Sequence, residues 1–183
     1  GESVYKALDG LAGYKGVMIK APIYLALNTL NDDPASLVKG AYGVEELITE
    51  FNEMGLGTCW ITVGDVDSQV KKSIFNYDHG EVNILLAIGY PVDDTVRENK
   101  FDDRKGIGEF VFLDKLERQV TSEDLEQRGL DELFSFARFA PSAYNEQPWR
   151  FVIIDDLIEL YIEDYKGEVN LIDAGIIMYY VDK

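Results

Sequence analysis

A helix-forming run, Leu130 to Ala140, ends directly against Pro141, and the chain then enters a β-run, Phe151-Val-Ile-Ile154. Proline lacks the backbone N–H and its ring clashes with the carbonyl one turn back, so the helix cannot continue through it. The residues between, Ser142 to Gln147, must therefore form an elbow that turns helix into sheet. This elbow gathers a hydroxyl, two side-chain amides and backbone N–H groups at one point. Such a set can hydrogen-bond a flat heterocycle with alternating donors and acceptors. It serves equally as a helix stop and an edge turn, and from residue types alone both readings stand.

The rest of the chain alternates between two periods. Pro22 to Asn28 is short and apolar and is closed by Asn and Asp, as a buried strand would be. From Leu37 to Met54 the pattern is helical, with Ala41, Val44, Leu47, Ile48 and Phe51 on one face and Gly55 as the stop. Asp65 or Asp67 can cap a helix running to Phe75 with the stripe Val66, Val70 and Ile74. Val82 to Ile88 follows as a buried strand. Thr121 with Asp124 reads as a helix cap, and Phe151–Ile154 and Ile158–Ile162 read as a hairpin around Asp155-Asp156. Mixed strands and helices in this order predict an α+β fold, a mixed sheet flanked by helices. Residues 92–107 are polar and without period, and read as a linker that also holds a basic cluster, Arg97, Lys100, Arg104 and Lys105.

Composition removes several function classes. One cysteine and one histidine in 183 residues leave no internal disulfide, no thiol-rich metal site and no Cys–His catalysis. Cys59, in an apolar stretch, is expected to be buried, and His79, in a turn signature, to be on the surface. A net charge of −17 argues against nucleic-acid binding, which needs Lys and Arg against phosphates. The acidic pairs, Glu45-Glu46 among them, are expected on solvated faces and in turns. The most apolar run, Ile84 to Val92, falls far short of the roughly 20 residues of a membrane span, and no secretory signal is visible. A soluble, cytoplasmic protein is the expectation, and Gly1 in place of Met reads as a processed or excerpted start.

The order of residues narrows the elbow's meaning. Ala140-Pro-Ser-Ala-Tyr-Asn-Glu-Gln-Pro-Trp-Arg-Phe151 resembles the flavin-binding segment of the nitroreductase family, FMN-dependent enzymes of α+β fold. Gly55-Leu-Gly-Thr-Cys-Trp-Ile61 is similar to that family's glycine-rich turn beside the flavin, and Asn83 to Pro91 to the strand that follows it. Leu171 to Val181 resembles the family's Asp-Ala-Gly helix. In ordinary members the Pro-Ser segment comes first, whereas here it comes last. The resemblance is therefore to a subfamily in which two half-degenerate copies are fused into a pseudo-dimer. It implies a first half over residues 1–95, a linker over 96–106 and a truncated second half over 107–183.

The resemblance also implies the chemistry. Pro141, Ser142, Ala143, Asn145 and Gln147 are expected to contact FMN, and the backbone of Ile61, Thr62, Val63 and Gly64 to line its opposite side. Trp60 and Trp149 are expected as core anchors. NAD(P)H is the implied electron donor and a small electron-poor molecule, a nitroaromatic or quinone, the implied acceptor. No catalytic side chain is required, because a flavin carries the hydride chemistry itself. A monomeric pseudo-dimer or a homodimer is expected. A module that binds flavin or a protein without turnover is the alternative. One departure stands out: the family's Arg-Arg-Ser-x-Arg-like phosphate clamp has no match before Gly55. Either the natural N-terminus is missing, or Lys15, Lys20 and the cluster at 97–105 substitute for the clamp, or FMN is held weakly. The first is the expectation.

Overall fold

Asp33 opens the longest helix, α2 (Pro34–Glu53), because its carboxylate accepts from the Ala35 N–H at 3.1 Å and Pro34 needs no partner at the first helical position. The helix closes on Gly55 at φ 76, where the Leu56 N–H reaches the Phe51 carbonyl at 2.9 Å and the Gly55 N–H reaches that of Asn52 at 3.0 Å. These two bonds satisfy the last carbonyls in the Schellman arrangement, and Leu56 and Phe51 pack together against one core cluster. The computed structural model describes residues 1–31, 33–92 and 103–183, and the chain divides into two units, Gly1–Thr95 and Val96–Lys183.

The first unit also contains α1 (Glu2–Leu8), β1 (Ile23–Thr29), β2 (Gly57–Thr62), α3 (Ser68–Phe75) and β3 (Glu81–Gly89). Strand β3 lies between β1 and β2 and is antiparallel to both. Ile84, Leu86 and Ile88 alternate with Leu85 and Ala87 along β3. A register shift opposite Leu27 and Asn28 puts an extra residue, Asn83, into β3, so that Val82 joins Leu85 and Ala87 on one face. That face packs with α1 and α3, while Leu86 and Ile88 pack with Val44 and Ile48 of α2. Asp67, one of the two expected caps, holds α3 by accepting from the Gln69 and Val70 N–H groups at 2.8 and 3.3 Å.

The second unit runs α4 (Ile107–Phe110), β4 (Val111–Leu113), α5 (Ser122–Glu126), α6 (Asp131–Ala137), β5 (Trp149–Ile154), β6 (Leu157–Ile162) and α7 (Glu168–Asp182). Strand β5 is central, parallel to β4 and antiparallel to β6. Phe110, Phe134 and Phe151 meet in a three-ring cluster with centroids 5.4 to 6.4 Å apart. The Thr121–Asp124 capping box forms as the sequence predicts, with the Asp124 N–H donating to Thr121 Oγ1 at 3.2 Å and the Thr121 N–H to Asp124 at 2.9 Å. The whole is an α+β fold.

Several expectations are corrected. The stretch read as a glycine-rich turn is a turn only at Gly55; Gly57 to Thr62 pair along β3, as a Thr-Cys-Trp-Ile run favours. Cys59 is exposed, because β2 is an edge strand whose apolar neighbours do not cover it. Glu45 is buried and accepts from Trp60 Nε1 at 3.2 Å, so one member of an acidic pair sits in the interior. Helix α6 ends at Ala137 rather than Ala140. The Phe139 and Ala140 N–H groups turn back to the Phe136 and Ala137 carbonyls at 3.0 Å, a tighter winding that precedes Pro141. His79 is exposed and Trp149 is fully buried, as expected.

Candidate functional site

The elbow between α6 and β5 is built as one strained turn. Ser142 is extended at φ −144, and a single turn of 3-10 helix covers Ala143–Asn145. Tyr144, Asn145 and Gln147 sit at φ 54, 56 and 49, a left-handed conformation that side chains other than glycine rarely adopt. Gln147 carries a further restriction, since Pro148 crowds the residue before it. Each such residue costs on the order of 1–3 kcal/mol and persists where the surroundings over-determine it. Pro141, Ser142, Ala143, Asn145 and Gln147 thus come together in one short loop.

What over-determines the turn is the segment Asp103–Lys105. Gln147, itself buried, donates from Nε2 to the carbonyls of Asp103 and Asn145, both at 3.2 Å, and its Oε1 accepts from the Lys105 N–H at 2.9 Å. Lys105 Nζ donates to the Gln147 carbonyl at 2.9 Å. Arg104 Nη1 donates to the Ala140 carbonyl at 2.9 Å and to Asn145 Oδ1 at 3.0 Å, while Asn145 Nδ2 donates to the Asp103 carbonyl at 2.6 Å. Arg138 completes the clasp by donating to the carbonyls of Lys105 and Arg104 at 3.2 and 3.4 Å. The amide of Gln147 is saturated by these contacts, so its geometry gives it the work of holding the loop. Of the segment expected as a linker, residues 93–102, with Arg97 and Lys100, lie outside the described residues, and Asp103 to Lys105 are pinned to the elbow.

Two kinds of donor on this scaffold have hydrogens beyond the bonds already named. Ser142 Oγ accepts from the Gln147 N–H at 3.0 Å, which orients the hydroxyl and leaves its hydrogen for an acceptor. Arg104 has Nε and Nη2, and Lys105 two ammonium hydrogens, beyond the bonds already named. Burial lowers the pKa of both cations, with Arg150 adding to the effect on Lys105, while Tyr180 and Asp103 favour the charged form of Arg104. In a chain of net charge −17 this is a local positive focus beside an oriented hydroxyl. Such a donor set suits an anionic ligand with a polar ring edge.

In the first unit, Ile61 and Thr62 close β2, with Val63 and Gly64 just beyond it. The side chains of Ile61 and Val63 are buried in the core, which leaves only their backbone for any ligand. The Thr62 carbonyl accepts from the Gly13 N–H at 2.9 Å, and that of Val63 accepts from the Val66 N–H at 3.1 Å. A Cβ added at Gly64 would meet nothing within 4 Å. Among the described residues no helix is long and apolar enough to cross a membrane, and no three His, Cys, Asp or Glu side chains converge as a metal site would require.

The profile of the family described as "Putative TM nitroreductase" matches residues 6–182. The chain belongs to this family. A solved structure of a protein described as a putative nitroreductase from Thermotoga maritima aligns at TM-score 0.59 and 21% identity, over 88% of this chain and 60% of that one. At that identity the likeness speaks to the α+β fold, and this nitroreductase-family chain spans 60% of the length of that protein. Among curated proteins none matches.

One residue that touches the elbow lies in the Asp-Ala-Gly run yet was not among the candidate site residues read from sequence. Asp173 of α7 is 2% exposed, and its Oδ1 accepts from the Ala143 N–H at 2.9 Å. Burial pushes its carboxyl up to about 7; the Ala143 N–H opposes that shift and Glu146 reinforces it. The signal was there to use: a carboxylate within the apolar run Leu171-Ile-Asp-Ala-Gly-Ile-Ile-Met is a buried charge in waiting.

Proposed function

We propose that the chain is an FMN-dependent NAD(P)H oxidoreductase that delivers hydride to a small electron-poor acceptor such as a nitroaromatic or quinone. Family membership supports an oxidoreductase role. The observation that carries the finer reading is the elbow itself: three left-handed residues held by the Asp103–Lys105 clasp, with an oriented Ser142 hydroxyl and two cations beside it. Ser142 would donate to a ring or ribityl oxygen of FMN, and Pro141 and Ala143 would shape the wall. Asn145 and Gln147 would act chiefly by fixing that wall. Arg104 and Lys105 would face the phosphate in a charge-assisted role. The backbone of Ile61, Thr62, Val63 and Gly64 is proposed as a further set of flavin contacts. When bound, FMN supplies the two-electron chemistry, and the protein supplies orientation and electrostatics.

A second reading, binding without turnover, is favoured by one observation: Asn145 and Gln147 spend most of their amide capacity inside the clasp. Anaerobic absorption spectroscopy separates the two. The FMN-loaded protein should lose its flavin band on addition of NADH or NADPH and regain it with a quinone or nitroaromatic. A bound flavin that neither nicotinamide reduces would overturn the oxidoreductase reading and leave the binding module.

A further inference from the structure

Helix α7 buries residues around most of its circumference, from Asn170 to Tyr179, and Asp173 is the carboxylate among them. Its two oxygens are treated differently. Oδ1 accepts from the Ala143 N–H, whereas Oδ2 is buried with no hydrogen-bond partner. An unpartnered carboxylate oxygen in the interior is costly, and a structure that keeps one ordinarily gains something from it. Ala143 is the first residue of the elbow's 3-10 turn, directly after Ser142. The Asp103–Lys105 clasp grips this elbow through Ala140, Asn145 and Gln147. Asp173 grips it at Ala143, between those points.

We propose that Asp173 is a positioning residue for the candidate flavin site: reaching from α7, its carboxyl fixes the Ala143 N–H and so sets how the Ser142–Asn145 turn is presented. This rests on the flavin reading of the elbow.

The contact is also sensitive to charge. Glu146, on the same loop, is the charged group that acts on Asp173, and it is itself paired with Lys166 at 2.9 Å. On β5, Arg150 is committed to Glu163 and to the Gln147 and Trp149 carbonyls. Arg138, beyond α6, donates to the Arg104 and Lys105 carbonyls, and Arg104 to Ala140 and Asn145. The remaining charges on these elements are acidic: Asp131 and Glu132 of α6, and Glu168 and Asp182 of α7. Among the described residues Asp173 therefore has no cationic partner. Its carboxyl changes charge near neutral pH, and the Ala143 N–H then bonds to a carboxylate instead of a neutral acid. Hydrogen bonds to an ionised acceptor are roughly twice as strong, so the elbow tightens as pH rises through about 7.

The test is a nitrogen-15 NMR titration of the full chain from about pH 5 to about pH 9, with FMN affinity measured on the same samples. The Ala143 amide proton should move downfield with a midpoint near pH 7. Asp173→Asn keeps an acceptor oxygen and should abolish that titration while leaving FMN affinity within about threefold. Asp173→Ala should weaken FMN about tenfold and speed hydrogen exchange across 142–147 by a similar factor, the worth of one buried hydrogen bond. An Ala143 resonance that does not titrate, or wild-type exchange at the elbow in Asp173→Ala, would overturn the proposal. If Asp173→Ala does not fold, the wild-type titration and Asp173→Asn still decide it. Should no variant bind FMN, the flavin reading fails, and the amide titration alone decides the Asp173 contact.

Discussion

Asp173 and Gln147 are both buried and polar, yet their surroundings give them opposite thermodynamic signs. Gln147 has every amide hydrogen and its oxygen engaged, so removing it takes a partner from the Lys105 N–H and the Asn145 carbonyl and leaves the Asp103 carbonyl with Asn145 Nδ2 alone. At about 1 kcal/mol for each of three bonds, Gln147→Ala should cost about 3 kcal/mol, read as a lower denaturation midpoint in urea. Asp173 is the reverse case. Its folded pKa of about 7 lies above the ordinary 3.8, so the fold favours the neutral acid. Its contribution is fully present below about pH 4 and is lost as pH rises to about 7, beyond which it is flat. The span corresponds to a ceiling of roughly 4 kcal/mol. Asp173→Asn should therefore be more stable than wild type at pH 8, by an amount that shrinks toward pH 5, in parallel denaturation series. From sequence, Ser142, Asn145 and Gln147 were legible as a polar elbow because proline forces one. Their partners were not: Asp103, Arg104 and Lys105 lie some forty residues away in the chain, beyond the reach of any local pattern.

Helices and strands were legible wherever a period and a stop coincided. Helix α2 is the clearest case, with a 3.6-residue stripe and a glycine stop that agree, although its first turn, from Pro34 behind the Asp33 cap, precedes the Leu37 start that the stripe suggested. Gly55 sits at φ 76, and a Cβ placed there meets nothing within 4 Å, so the cost of a side chain is conformational only. Gly55→Ala should accordingly destabilise the first unit by about 1 kcal/mol without changing its structure, as thermal denaturation and an unchanged amide spectrum would show. Where period and stop disagreed, the sequence misled. Glycines at 55 and 57 suggested a turn, yet the β-formers after them pair along β3. Pro141 marked the end of a helix that had already tightened and stopped at Ala137. Cys59 and Glu45 show a further limit, since edge position and helix face decide burial more than the polarity of neighbours in the chain.

At the scale of the whole molecule, a strongly acidic chain of the nitroreductase family concentrates several of its cations, Arg104, Lys105, Arg138 and Arg150, about one elbow. Under the proposed function, a phosphate-bearing cofactor is what these cations and the strained turn would serve. The decisive measurement is an equilibrium titration of the purified chain with FMN, followed by quenching of flavin fluorescence, beside the same titration of a variant carrying Ser142→Ala and Arg104→Ala. Saturable binding of one FMN per chain, weakened by about a hundredfold or more in the double variant, is the expected result at about 1.5 kcal/mol for each lost contact. Equal affinity in both proteins, or no saturation with either, would contradict the assignment of the elbow as the flavin site.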